Sequence, residues 1–275
     1  EPIKPIVFWL ENTTPLKFRD YIKEGILAWN EAFLRAGIKN AIEVKIQPDD
    51  AKWDAGDIRY NVLRWTSSPN PPFGGYGPSF VNPRTGEIIG ADIMLEWVYA
   101  TNRLTIEDIF SSSHGSMTCS VGNLMQEGNM MGYLTSTNEE DPEILKQSII
   151  RLTLHEVGHT LGLNHNFKAS FLHNSKDVHN KELTQKIGLT SSVMEYPAVN
   201  LAPKGVKQGD YYDTRTGPYD LWAIEFGYKP SLTPEEREVL LSKSNLPEHM
   251  FANDSEDMRS PGKGIDPRAM INDLS

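Results

Sequence analysis

The segment LTLHEVGHTLGLNHNF, residues 152–167, is the most informative part of this sequence. On a helix, positions i and i+4 share one face, so His155 and His159 can direct ring nitrogens at one zinc ion. Glu156 lies about 100° round the helix, from where its carboxylate reaches a water at the metal rather than the metal itself. Since zinc lowers the pKa of such a water to about 7, Glu156 is the predicted general base, which then protonates the leaving amine.

Gly162 and His165 extend the pattern beyond one helix face. A continuing helix would carry His165 away from the first two histidines, whereas a glycine can adopt positive φ and turn the chain back. Three protein ligands with an open fourth position are typical of catalytic zinc. We therefore predict one catalytic Zn²⁺ ion, held by His155, His159 and His165.

The composition limits the kinds of partner. The 275 residues are 39% hydrophobic and 23% charged with a formal charge of −10, which argues against nucleic acid. No apolar run is long enough for a membrane span. Cys119 is the only cysteine, so no intrachain disulfide forms and an inert thiol is expected. Because the chain begins at Glu1 without a methionine, we expect a mature or trimmed domain, and the lack of a leader says nothing about compartment.

The first half alternates strands and helices. Thr14 is a predicted helix cap, Pro15 fits the first helical position, and Gly37 fits the position after the end. An apolar stripe predicts which residues of this helix face the core: Phe18, Ile22, Ile26, Trp29 and Phe33. Strands are predicted at 6–12, 41–47, 58–66 and 87–97.

The segments between the predicted strands and helices differ in composition, and each composition indicates a different kind of connection. The acidic turn 48–57 lacks EF-hand spacing, so we predict a solvated loop, and a calcium site is possible but unsupported. Residues 67–87 are rich in proline and glycine and are predicted as loop. Residues 111–141 are predicted as a long irregular connection with a short helix near VGNLMQEG.

The second half begins with the histidine helix, predicted from Pro142. After it, 166–218 shows little periodicity, and the tail from Ser260 reads as loop. Helices are predicted at 217–228 and at 233–241, where Thr233 and Glu236 have capping-box spacing.

This order of elements predicts an α+β fold. We expect an N-terminal upper subdomain, 1–165, with a twisted mixed sheet and two long helices. A smaller, irregular and helical lower subdomain, 166–275, would follow, with the active-site cleft between the two.

HEVGHTLGLNH resembles the elongated zinc motif HExxHxxGxxH of the metzincin metallopeptidases. SSVMEYP (191–197) is similar to the methionine turn of that clan, which implies that Met194 forms a hydrophobic floor under the metal. The resemblance also makes Tyr196 a candidate for holding the transition-state oxyanion, although packing in the lower lobe is an equal alternative.

Metzincins bind substrate as an added strand on an upper edge strand. By order and pattern, the resemblance assigns this role to ADIMLEW (91–97), and so to Ala91, Asp92, Ile93 and Met94. It also implies that Ala198 and Val199, just after the methionine turn, line the pocket beside the scissile bond.

Five further segments resemble the Met-zincin catalytic domain of large bacterial envelope proteins: EGILAWNEAF, DIRYNVLRW, NPRTGEIIGADI, GPYDLWAIEFGY and DPRAM. A related metalloprotease domain is the enzymatic subunit of an AB-type toxin. The resemblance implies an extracytoplasmic location, in the periplasm, the envelope or the medium, and flanking domains of a longer protein. We thus predict a zinc endopeptidase acting on peptide or protein substrates. An exopeptidase of the same chemistry and a zinc-containing, non-catalytic binding module are the alternatives.

Overall fold

A computed structural model describes residues 1–68, 74–96 and 142–253. The predicted connection 111–141 with its short helix, Cys119 and the tail from Ser260 lie outside these residues. The strands are β1 (Ile6–Leu10), β2 (Ile42–Ile46), β3 (Asn61–Thr66), β4 (Gly75–Tyr76), β5 (Ser79–Val81) and β6 (Ile88–Glu96). The helices are α1 (Leu16–Arg35), α2 (Pro142–Thr160), α3 (Lys181–Ile187), α4 (Pro218–Tyr228) and α5 (Pro234–Leu241).

The sheet is mixed, and its strand order is β2-β1-β3-β6-β4, with β5 also paired to β6. The pairs β1–β2, β1–β3 and β3–β6 are parallel, whereas β4 and β5 run antiparallel to β6. A mixed sheet with long helices confirms the predicted α+β fold class.

Strands β4 and β5 overturn the prediction that 67–87 is entirely loop. Gly75 pairs with Leu95 in β6, and Ser79 pairs with Ala91. Proline and glycine disfavour central strands but are tolerated at the rim of a sheet, where these two short strands lie.

Helix α1 forms as predicted on its buried face but not at its start. All five residues of the apolar stripe are at most 2% exposed. The N-cap is Pro15, and no side chain caps the helix, so the capping prediction for Thr14 is wrong. The buried Thr14 hydroxyl has no hydrogen-bond partner among the described residues. Gly37 ends the helix with φ of +87°, as its position predicted.

Helix α2 packs against α1 and is covered on both sides. The indole N–H of Trp29 in α1 donates to the carbonyl of Leu154 in α2 across 3.0 Å. The whole segment 148–158 of α2 is buried. The helix that carries the first two histidines is therefore a rigid core element.

Beyond α2, the segment 166–218 holds a helix that its weak periodicity concealed. Asn180 caps α3 by accepting from the N–H of Leu183 at 3.2 Å. Helices α4 and α5 lie where predicted, and Thr233 and Glu236 form the expected capping box. The division into subdomains 1–165 and 166–275 stays a prediction. Within the described ranges, no helix is both long and apolar enough to cross a membrane.

Candidate metal centre

Helix α2 ends in a glycine turn directly after the second histidine. Gly162 has φ of +89°, a left-handed conformation that suits glycine. Its N–H donates to the carbonyl of His159 at 3.0 Å, and that of Leu163 donates to the carbonyl of Gly158 at 3.1 Å. This is a Schellman motif, which satisfies the last helical carbonyls and reverses the chain.

Backbone carbonyls fix the orientation of the first two histidine rings. His155 Nδ1 lies 2.8 Å from the carbonyl oxygen of Val193, and His159 Nδ1 lies 3.0 Å from that of Leu163. A carbonyl oxygen can only accept, so each Nδ1 carries the ring proton. The Nε2 lone pairs of His155 and His159 then face each other across 3.1 Å.

The glycine turn brings the third histidine back to this pair. The ring centroid of His165 lies 5.3 Å from that of His155 and 4.7 Å from that of His159. One nitrogen from each ring lies within 4.8 Å of the other two. Within the described part of the chain, this is the only cluster of three or more possible metal-binding His, Cys, Asp or Glu residues.

The donor set fits a zinc ion. Two ligand nitrogens at tetrahedral zinc are about 3.3 Å apart, close to the Nε2–Nε2 distance of His155 and His159. Burial, followed by the charges of the two other histidines, holds the pKa of His155 well below its ordinary value. The ring is therefore neutral at physiological pH, which is the form that binds metal.

Glu156 lies under strand β4. Its side chain is fully buried, and a Cβ added to Gly75 would lie 2.7 Å from its carboxylate oxygen. A Cβ on Gly77 would lie 2.5 Å from the backbone oxygen of Glu156. Glycines at these two positions therefore let β4 lie directly on the helix beside the predicted general base.

The methionine turn packs beneath the histidines. Met194 is fully buried, and its sulfur contacts helix α2 so closely at Gly158 that a Cβ there would overlap it. The backbone N–H of Asn166, just after the third histidine, donates to the carbonyl of Met194 at 2.9 Å. Met194 thus contacts helix α2 and is hydrogen-bonded, through its carbonyl, to the segment that supplies the third predicted ligand, His165.

Tyr196 points its hydroxyl group at the third histidine. The oxygen lies 2.5 Å from His165 Nε2 and 3.1 Å from Nδ1, and the side chain is only 2% exposed. Tyr196 is therefore both a packed aromatic and a neighbour of a predicted ligand.

Charged groups that the sequence analysis missed hold the methionine turn. Arg151 in α2 donates to the carbonyl of Val193 and, at 2.7 Å, to that of Glu195. Asp220 in α4 accepts from the N–H of Val193 at 2.8 Å and from the Ser192 hydroxyl at 2.6 Å. The only signal in the sequence for Arg151 is an arginine four residues before His155 in an otherwise apolar stretch.

The prediction that Ala91, Asp92, Ile93 and Met94 belong to an edge strand is wrong, whereas contact of their side chains with substrate stays a prediction. Strand β6 pairs with β3 on one side and with β4 and β5 on the other. Ile93 is fully buried, and Asp92 lies 3.0 Å from Arg64 in an ion pair. Among the strands of the described residues, β4, next to Glu156, is the outer one at this end of the sheet.

The pocket residues predicted after the methionine turn differ in exposure. Ala198 is exposed, whereas Val199 is half-buried and packs against the core. Their predicted contact with substrate stays a prediction.

Comparison with known families finds one match, over residues 137–275, to the family described as Met-zincin. The matched part includes the three clustered histidines and Met194. Searches of curated proteins and of solved structures find no match.

Proposed function

The chain belongs to the Met-zincin family of zinc metallopeptidases, and we propose that it is an endopeptidase with Glu156 as its general base. The observation that carries this proposal is the arrangement of the three imidazoles. Val193 and Leu163 fix the protons of His155 and His159 on Nδ1, so their Nε2 lone pairs converge. Groups that converge in this way are suited to one cation.

His155, His159 and His165 would hold the zinc ion. With three protein ligands and one open position, zinc supplies a Lewis acid that polarises a carbonyl and lowers the pKa of water to about 7. No observation supports a calcium ion at the acidic turn 48–57. We therefore propose zinc as the only metal.

The chain's own groups handle the proton. A Glu156 carboxylate oxygen accepts the proton of the attacking water and then delivers it to the nitrogen of the leaving amine. Burial of this side chain under β4 keeps bulk water away from the carboxylate, which favours a directed proton transfer. Tyr196, beside His165, is proposed to donate its hydroxyl hydrogen to the oxyanion of the tetrahedral intermediate.

Substrate is proposed to approach along β4. Only two residues of β4 pair with β6, and in the described ranges no strand pairs with its other side. An extended peptide that pairs there would pass over Glu156. Ala198 and Val199 are still proposed, by family resemblance, to line the pocket beside the scissile bond. This course replaces the one predicted along β6.

The test compares wild type with Glu156→Gln. Both should bind one zinc ion per chain, measured by metal analysis after dialysis, because Glu156 is not a ligand. Only wild type should cleave a peptide that is acetylated at its N-terminus and amidated at its C-terminus. Equal activity of the two proteins would disprove the role of Glu156.

The same peptides separate the two alternatives. Cleavage of free peptides but not of end-blocked ones would indicate an exopeptidase. Zinc binding without hydrolysis of any peptide in a proteome-derived library would indicate a non-catalytic binding module.

We propose an extracytoplasmic location and flanking domains, which rest on the family resemblance alone. Fractionation of the source cells tests the location, because the proteolytic activity should leave with the periplasm, the envelope or the medium.

A further inference from the structure

A chain of hydrogen bonds joins His155 to a buried carboxylate, and we propose that Ser192 and Asp220 position and polarise this first zinc ligand. The inference rests on the proposed function, since it concerns the same metal centre. In the hydrogen bonds given above, Ser192 and Asp220 act on the histidine cluster only through the methionine turn.

The chain has three links. His155 Nδ1–H donates to the carbonyl oxygen of Val193 at 2.8 Å. The N–H of the same peptide group, which belongs to Met194, donates to Ser192 Oγ at 3.0 Å. The Ser192 hydroxyl then donates to Asp220 Oδ1 at 2.6 Å.

All three donors point toward the carboxylate, so each bond strengthens the next. A histidine whose other nitrogen donates toward an anion is a more basic and better oriented metal ligand. Here a serine and a peptide group stand between the anion and the imidazole. Zinc affinity should therefore depend on Ser192, two hydrogen bonds away from His155, and on Asp220, three hydrogen bonds away.

Asp220 is held in place and charged at neutral pH. Its second oxygen accepts from the N–H groups of Val193 and Gly217, both at 2.8 Å. Burial raises its pKa to about 6 against the opposing effect of these hydrogen bonds, so the carboxylate is mostly ionised at pH 7.5.

The hydrogen bonds of Arg151 make it possible to test polarisation of His155 separately from structural support of the methionine turn. Its guanidinium donates to the same Val193 carbonyl and to the carbonyl of Glu195. Loss of the Ser192 hydroxyl leaves these two bonds intact, as well as both bonds to the second oxygen of Asp220. The turn should therefore keep its fold while the link to the carboxylate is broken.

The experiment measures zinc affinity in the full chain by competition with a chromophoric chelator. Ser192→Ala should bind zinc about 10–100-fold more weakly than wild type. Ser191→Ala is the matched control, because this neighbouring buried hydroxyl has no hydrogen-bond partner among the described residues, and its affinity should stay within about twofold. The visible spectrum of the Co²⁺-loaded protein should shift in Ser192→Ala alone, which a purely structural role would not produce.

Asp220→Asn provides a second measurement if Ser192→Ala fails to fold by circular dichroism. The amide oxygen can still accept from Val193 and Gly217, while the negative charge is gone, so zinc should again bind more weakly. Wild-type affinity in a folded Ser192→Ala or in Asp220→Asn would overturn the inference. A wild-type chain that binds no zinc would instead overturn the proposed function, and the inference with it.

Discussion

Gly158 lies between the two histidines of helix α2, at a point where a side chain has no room. A Cβ there would overlap the sulfur of Met194 and lie 3.0 Å from the ring of Trp29. Gly158→Ala should force one of them out of place and lower the free energy of unfolding by about 1–3 kcal/mol, measured by urea denaturation.

Gly227 in helix α4 provides the matched control, since a Cβ there would meet no atom within 4 Å. Gly227→Ala should leave the free energy of unfolding unchanged or raise it by up to about 1 kcal/mol, because alanine favours helix. Equal losses in the two variants would show that contact with Met194 is not the cause.

For single residues, the sequence predicts contacts between positions that are close together in the chain. The spacing of His155, His159 and Gly162 follows from the pitch of a helix and from the conformations open to glycine, so the clustering could be anticipated. Ser192 and Asp220 are 28 residues apart, and no periodicity links them. Their contact depends on how helix α4 packs, which the sequence alone does not reveal.

Among the elements, the strand at the rim of the sheet was the hardest to predict. Strand β6 has a strong pattern because it is buried between β3 and its antiparallel neighbours. Strand β4 has only two residues, Gly75 and Tyr76, and no pattern of its own. Pairing with β6 and close contact with α2 create this strand, so the sequence pattern alone points to β6 rather than β4 as the outer strand.

Gly77 sets how closely this strand approaches helix α2. A Cβ at Gly77 would lie 2.5 Å from the backbone oxygen of Glu156 and 3.0 Å from its carbonyl carbon, and helix backbone cannot move aside. Gly77→Ala should therefore lift β4 away from Glu156 and lower kcat/KM for an end-blocked peptide by about 10²-fold. Zinc content should stay at one ion per chain.

The contrast between activity and metal content makes this result specific. Gly227→Ala should change neither quantity. Loss of zinc from Gly77→Ala together with activity would mean that the substitution disrupts the helix as a whole, and unchanged kcat/KM would contradict the placement of substrate along β4.

Across the described part of the molecule, the buried cation Arg151 interacts electrostatically with several buried acids. Arg151 is fully buried, and so are Glu195, Asp213 and Asp220. Burial raises the pKa of all three carboxyl groups, although hydrogen bonds and Arg151 oppose it. The methionine turn is therefore held by groups whose ionisation in the folded state costs free energy.

Because Glu195 is one of these buried acids, the free energy of unfolding should depend measurably on pH. Burial raises its pKa from 4.5 to about 7, while hydrogen bonds from Tyr196 and Ser170 lower it. Because the folded state holds the proton more tightly than the unfolded state, the stabilising contribution is complete below about pH 4.5. It is lost as the pH rises through about 7, by up to about 3 kcal/mol.

Glu195→Gln removes this titration, so the comparison should be made in the presence of a zinc chelator, by urea unfolding between pH 4.5 and 8. His155 contributes the opposite slope, since its lowered pKa makes folding more favourable as the pH rises, but it does so equally in both proteins. The free energy of unfolding of wild type relative to Glu195→Gln should therefore fall between pH 4.5 and 7 and level off above. A difference that is constant across this range would mean that Glu195 is already ionised in the folded protein at pH 4.5, and that its hydrogen bonds outweigh its burial.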